Sequence, residues 1–209
     1  RRVVTAEREE RLNGRNDPAS STPVSDGTNV YSFFGNFGLV SYDRDGRERW
    51  RLPLGPFNNR HGMAASPLFA DGKLIMLCDQ DTNAFLLALY PEIGLNVWKT
   101  DRPHVQQGYS TPVIWKNQII VPGSHHLAGY SMDSGERIWW LQGLTWQPKS
   151  IPVLGEGVLY FNGWAPGGDP GEEADVEPFE KLAKEYDLDG DERLTREELP
   201  EKLQPGGWD

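Results

Sequence analysis

The stretch "SSTPVSDGTNVYSFFGNFGLVSYDRDGRERWR", residues 20–51, reads as four short segments parted by turns, and it is not alone in the chain. Residues 65–99, "ASPLFADGKLIMLCDQDTNAFLLALYPEIGLNVWK", and residues 110–140, "STPVIWKNQIIVPGSHHLAGYSMDSGERIWW", follow the same template, and "SIPVLGEGVLYFNGW" at 150–164 starts a fourth copy. The anchoring prolines Pro23, Pro67, Pro112 and Pro152 stand 44, 45 and 40 residues apart. A period of that length is one four-stranded β-propeller blade.

Each copy has the same physical parts. A Ser/Thr-Pro pair or its Ser/Ile counterpart opens a short strand, and a turn follows at Asp26-Gly27, Asp71-Gly72 or Lys116-Asn117. The first two pairs suit the positive φ of tight hairpins. The apolar strands "NVYSFF", "KLIMLC" and "QIIVPG" come next, then "GLVSYD", "FLLALY" and "LAGYSMD", whose partial alternation fits a sheet packed on both faces. A second turn, at Asp45-Gly46, Gly94 or Ser134-Gly135, leads to a strand ending in Trp50, Trp98 or the pair Trp139-Trp140. A large aromatic at one place in every copy is expected to dock between adjacent blades.

These repeats resemble the pyrroloquinoline-quinone-like β-propeller repeats. That family includes quinoprotein alcohol dehydrogenases and the lipoprotein scaffold of the bacterial outer-membrane assembly machine. The resemblance rests on the "TPV..DG..VY" opening and the "G.L.SYD..G...W" close, in order, over residues 21–140. "FFGNFGLVSYD", "WKTDRP", "GYSTPV" and "GWAPGGDPGE" also resemble bacterial proteins that carry an EF-hand inside such a propeller. The resemblance implies an all-β fold and an exported, periplasmic or extracellular, protein. The family's quinone enzymes stack their cofactor against a disulfide of adjacent cysteines. Cys78 is the single cysteine here, so bound quinone is not expected. Three and a half blades do not close a ring of four to eight. The chain is therefore expected to be a piece of a longer protein, with residues 1–20, through "RRVVTAERE", as the end of a preceding blade and linker, and 21–165 as blades.

The template breaks after "VLYFNGW". "APGGDPGEEADVEP" intervenes, rich in Gly and Pro, and the hydrophobic period then switches from about two to 3.6: Phe179, Leu182, Ala183 and Tyr186 share one helical face behind Pro178. Residues 166–209 thus read as an acidic insert containing a helix-loop-helix. Its loop, "DLDGDERLTREE" at 187–198, matches the 12-residue EF-hand calcium site. Asp187, Asp189 and Asp191 fill positions 1, 3 and 5. Arg193 offers its carbonyl at position 7, Thr195 its hydroxyl or a bridging water at 9, and Glu198 both carboxylate oxygens at 12. One Ca²⁺ is expected, bound weakly, because position 6 is Glu192 where the sharp bend favours glycine. "TREE" is also a capping box, so Glu198 has a second reading with no metal.

Charge supports a cation as partner. Residues 1–165 hold 16 acidic and 16 basic side chains, residues 166–209 hold 15 and 5, so the whole net charge of -10 falls in the insert. Nucleic acid is not expected, since no basic face offers itself to phosphates. No apolar run is long enough for a membrane span, and no signal peptide is visible. One cysteine permits no internal disulfide; Cys78 reads as a small buried residue. His61 and the His125-His126 pair fall near loops, and adjacent histidines in a strand would face opposite ways. "DQD" at 79–81 follows a strand directly and reads as a turn. No catalytic motif appears. Two functions follow: a non-catalytic, calcium-binding propeller that scaffolds a protein or polysaccharide partner, or part of a quinoprotein-type oxidoreductase whose site lies mostly outside this chain.

Overall fold

The computed structural model describes residues 16–163, 179–190, 194, 195 and 197–200. The strand expected over "RRVVTAERE" lies outside them. By contacts the chain divides into two units, residues 1–166 and 167–209.

In the first unit every full repeat is one antiparallel four-stranded sheet, its strands paired in chain order. Blade one holds β1 (Val24–Ser25), β2 (Val30–Phe34), β3 (Gly38–Tyr42) and β4 (Glu48–Pro53). Blade two holds β5 (Leu68–Ala70), β6 (Lys73–Cys78), β7 (Phe85–Leu89) and β8 (Asn96–Asp101). Blade three holds β9 (Val113–Trp115), β10 (Gln118–Gly123), β11 (His126–Ser131) and β12 (Arg137–Gln142). The fourth begins as the hairpin of β13 (Val153–Gly155) and β14 (Val158–Tyr160). This is a partial β-propeller.

Burial follows strand position. The middle strands are covered on both faces, so β7 is buried along its whole length and reads as the unbroken "FLLAL". The outer strands β4, β8 and β12 carry Arg, Lys, Asn and Asp among their exposed positions, as edges that must not recruit other strands do. One hydrophobic core runs through all three blades, from Tyr31, Phe33 and Leu39 through Leu74, Met76 and Leu87 to Ile119, Val121 and Tyr130.

Two repeated devices join the blades. The first uses the Ser and Thr side chains one or two residues before Pro23, Pro67 and Pro112. Ser21 Oγ donates to Ala65 O at 2.8 Å, Thr22 N–H to Ser66 Oγ at 2.9 Å, Ser66 N–H to Thr111 Oγ1 at 2.9 Å, and Ser110 Oγ to Ser150 O at 2.6 Å. Each opening thus clasps the next. The second is the tryptophan. Trp50 donates its indole N–H to Pro91 O at 2.8 Å, and Trp98 donates to Met132 O at 3.2 Å, each in the following blade. Each ring lies over the glycine of that blade's last turn: a Cβ added at Gly94 would stand 2.8 Å from the Trp50 ring, and one at Gly135 would overlap Trp98. The expected docking between blades is present, with one refinement. Trp139 takes the register of Trp50 and Trp98, while Trp140 is 55% exposed beneath the Arg137 guanidinium.

What fixes that register is a β-bulge repeated three times, at Ser41/Tyr42, Ala88/Leu89 and Gly129/Tyr130. The extra residue on the outer strand shifts the alternation by one just before each tryptophan, turning the ring toward the next blade.

The second unit has α1 (Phe179–Tyr186) followed by the acidic loop. Leu182, Ala183 and Tyr186 of its apolar face are partly covered, and Phe179 is exposed. A single turn, with Leu199 N–H donating to Thr195 O at 3.3 Å, begins where the second helix is expected. Residues 201–209 lie outside the described set.

Candidate functional site

The acidic loop leaves α1 with Asp187 N–H still bonded to Ala183 O at 2.9 Å. Gly190 takes a left-handed φ of 74°, and its N–H donates to Asp187 Oδ1 at 2.7 Å, folding the chain back over the first aspartate. Glu198 is held from two sides: Oε1 accepts from Leu188 N–H at 3.0 Å, and Oε2 accepts from Thr195 N–H at 2.8 Å and Thr195 Oγ1 at 2.7 Å. The Thr195 N–H and hydroxyl, then the Leu188 N–H, hold its carboxyl below the usual range. Carboxylate oxygens of Asp187, Asp189 and Glu198 lie within 4.8 Å of one another, the one group of three or more His, Cys, Asp or Glu side chains so placed among the described residues.

Four of the six expected ligand residues, Asp187, Asp189, Thr195 and Glu198, are therefore gathered at one place. Asp191 and Arg193 lie outside the described residues. Hard carboxylate oxygens at this separation suit Ca²⁺. The Thr195–Glu198 contact is at the same time the capping-box bond read from "TREE".

A second polar assembly occupies one end of the first unit. There the β6–β7 loop, residues 79–84, meets the connections between blades. Asp79 and Gln80, in the stretch that "DQD" marked as a turn, are buried. Asp79 accepts from Arg102 Nε at 2.7 Å and Nη2 at 2.9 Å, and Arg102 Nη1 donates to the Tyr130 hydroxyl. Burial alone would lower the Arg102 pKa; the facing Asp79 carboxylate outweighs it and holds the pKa above the ordinary value. Gln80 Oε1 accepts from Asn58 N–H at 2.7 Å, and Asp81 Oδ1 from Gln107 N–H at 3.1 Å. Arg60 N–H donates to Gln107 Oε1 at 3.2 Å, and Trp146 Nε1 to Gln106 Oε1 at 2.7 Å.

The architecture places His61, His125 and His126 in different surroundings. His61 is half-buried, 5.7 Å from the Tyr109 ring. His125 is exposed in the turn before β11, whereas His126 is buried, its ring 5.2 Å from His104. His126 Nδ1 lies 2.8 Å from Ser124 O, so Nδ1 carries the proton. Cys78 is fully buried on β6, and burial pushes its thiol well above the usual range, which keeps it protonated and unreactive.

Against known proteins, residues 4–148 match the family described as outer membrane protein assembly factor BamB. The chain belongs to that family. Among solved structures, BamB from Moraxella catarrhalis is similar at a TM-score of 0.56 and 14% identity, over 70% of this chain and 47% of that one. A computationally designed protein, Ika8, gives 0.51 at 9% identity, over 66% and 40%. Quinohemoprotein alcohol dehydrogenase from Comamonas testosteroni gives 0.49 at 18% identity, over 61% and 21%. The chain thus spans about half the length of the Moraxella BamB. No curated protein matches. Among the described residues no helix is long and apolar enough to cross a membrane.

Proposed function

We propose that the chain is a stretch of an exported, non-catalytic β-propeller that scaffolds a protein partner and holds one Ca²⁺ in its acidic loop. The observation that carries the scaffold reading is how the polar loop end uses its side chains. Asp79, Gln80, Asp81, Arg102, Gln106 and Gln107 direct their polar atoms at neighbouring loops of the same unit. Such stitching makes a stiff surface with defined shape rather than a set of groups aimed at a reacting atom. Membership in a family described as an assembly factor agrees with it.

For the ion, Asp187, Asp189 and Glu198 supply three carboxylates, with Thr195 beside them. Outside the cytoplasm a weak site suffices, because extracellular calcium modules work at dissociation constants of about 0.1–1 mM. Binding would clamp the end of α1 to the Thr195 turn. Calorimetric titration of the whole chain tests this, with Mg²⁺ and Glu198→Gln as controls. Saturable binding that prefers Ca²⁺ and vanishes in the variant supports the site; equal binding by the variant overturns the ligand set. For the non-catalytic part, the chain is incubated with pyrroloquinoline quinone, Ca²⁺, a primary alcohol and a redox dye. Quinone-dependent dye reduction above that of denatured chain would overturn the scaffold reading.

A further inference from the structure

The outer strand of blade three uses its cation differently from those of blades one and two. With the tryptophans in one register, Glu48 and Arg51 of β4 match Asn96 and Lys99 of β8 and Arg137 and Trp140 of β12. In blade one a ring and an acid pin the cation: the Arg51 guanidinium lies 5.5 Å from the Phe37 ring, and its Nε donates to Glu48 Oε1 at 2.7 Å. In blade two Lys99 Nζ lies 4.6 Å from the Phe85 ring and 3.3 Å from Asp101 Oδ1. Blade three keeps the ring and lacks the acid. The Arg137 guanidinium lies 4.5 Å from the Trp140 ring and Nη1 donates to His104 Nε2 at 2.8 Å, but among the described residues it pairs with no carboxylate.

His104 does not stand in for the missing acid. Arg137 can only donate, so Nε2 is the accepting nitrogen and the His104 proton sits on Nδ1. Burial and then the charges of Arg102, Arg137 and His126 lower its pKa from 6.5 to about 4, so the ring is neutral at pH 7 and the charges acting on it are all positive. The Arg102 charge is met by both Asp79 oxygens; the Arg137 charge is not. The place is thus electropositive and rich in donors, since the other Arg137 N–H groups and the exposed Trp140 indole N–H have no acceptor among the described residues. The guanidinium is also positioned before any ligand arrives, by the indole ring and the imidazole together, which lowers the ordering cost of binding.

This arrangement is built from β12 and the connection that follows β8, between two complete blades. We propose that Arg137, held between Trp140 and His104, seats a carboxylate side chain presented by a protein partner. A planar fork of N–H donors matches the two oxygens of one carboxylate. Trp and Arg are also the side chains in which binding energy concentrates at protein interfaces. A phosphate polymer fits less well, because one guanidinium offers no row of cations to a run of phosphates and the net charge of -10 repels a polyanion. The assignment to a protein partner rests on the scaffold reading; the seat itself stands whether or not that reading or the Ca²⁺ site holds.

The test is an NMR titration of the isotope-labelled whole chain with the end-blocked peptide Gly-Ser-Glu-Ser-Gly, read at the Trp140 indole N–H, whose signal is assigned by its loss in Trp140→Phe. A saturable shift is expected. The same peptide with Gln for Glu, or the chain with Arg137→Gln, binds at least about tenfold more weakly, as the loss of a charge-assisted fork requires. Arg44→Gln removes an equal charge from an exposed turn of blade one and leaves the affinity unchanged. The comparison of Glu with Gln peptide needs no variant chain, so it holds even if Arg137→Gln disturbs the fold. Absence of a saturable shift, equal binding of the two peptides, or equal weakening by Arg44→Gln overturns the seat. Acetate that binds as tightly as the Glu peptide overturns the assignment to a protein partner and makes the ligand a free carboxylate.

Discussion

Arg102 and Asp79 meet as a fork-to-fork ion pair, Nε to Oδ1 at 2.7 Å and Nη2 to Oδ2 at 2.9 Å, with neither side chain exposed. The pair ties the connection after blade two to the loop inside it. Its worth lies less in attraction than in what remains if one partner is lost, a guanidinium in the dry interior. Asp79→Ala is therefore expected to cost about 3–5 kcal/mol in urea unfolding, and the double variant Asp79→Leu, Arg102→Met to regain most of it. A double variant as unstable as the single one would contradict this account.

Gly94 has φ 71°, and an added Cβ would stand 2.8 Å from the Trp50 ring. Gly94→Ala combines left-handed strain of about 1 kcal/mol with overpacking of about 1–3 kcal/mol. A fall in the thermal midpoint and a red shift of tryptophan emission are expected. The same substitution at Gly46, where nothing lies within 4 Å of the added Cβ, carries the strain alone and serves as the control.

Acid is expected to weaken the fold through the paired histidines His104 and His126. Burial, then the Arg102, Arg137 and His126 charges, lower His104 from 6.5 to about 4, and burial followed by Arg102 and Arg137 lowers His126 against the pull of Ser124 O and Asp79. The unfolded chain takes up these protons first. Stability is full above the unfolded value of 6.5 and is lost as pH falls from there toward about 4. In urea midpoints measured between pH 7 and pH 4.5, His104→Gln together with His126→Gln should flatten the slope. An unaltered slope would assign the acid sensitivity to other groups.

At position six of the acidic loop, Glu192→Gly supplies the residue that the EF-hand template places at its bend. If the loop holds Ca²⁺ as proposed, the glycine is expected to raise its affinity several-fold in calorimetry, an effect of about 1 kcal/mol, with little change for Mg²⁺. A weaker site in this variant would mean that the Glu192 carboxylate, not the backbone, governs binding.

The propeller was legible because its information is local and periodic. The prolines, the turn pairs and the tryptophans each recur within one blade, and the structure places Trp50 and Trp98 between blades as their recurrence implied. What periodicity does not carry is pairing between loops. Asp79 looks like one acid of a turn, and only its encounter with Arg102 and Tyr130 on other segments makes it a buried anchor. Nor did Ser21 and Ser110, two residues before their prolines, declare their role as clasps, since the partner of each sits a whole repeat away. The bulge before each tryptophan was also hidden: it exists in the pairing of two strands, not in either one. Of the acidic loop, the described residues show only that the Asp187, Asp189 and Glu198 carboxylates come together, as Gly190 and the Thr195 turn fold the two ends of the loop toward each other.

Cys78 has a practical consequence. It is the single thiol in the chain and lies at 0% exposure on β6, against the core. A thiol reagent reaches it only when blade two opens. The labelling rate under native conditions is thus a direct gauge of how often the middle of the propeller comes apart, read from one chemical bond without any denaturant.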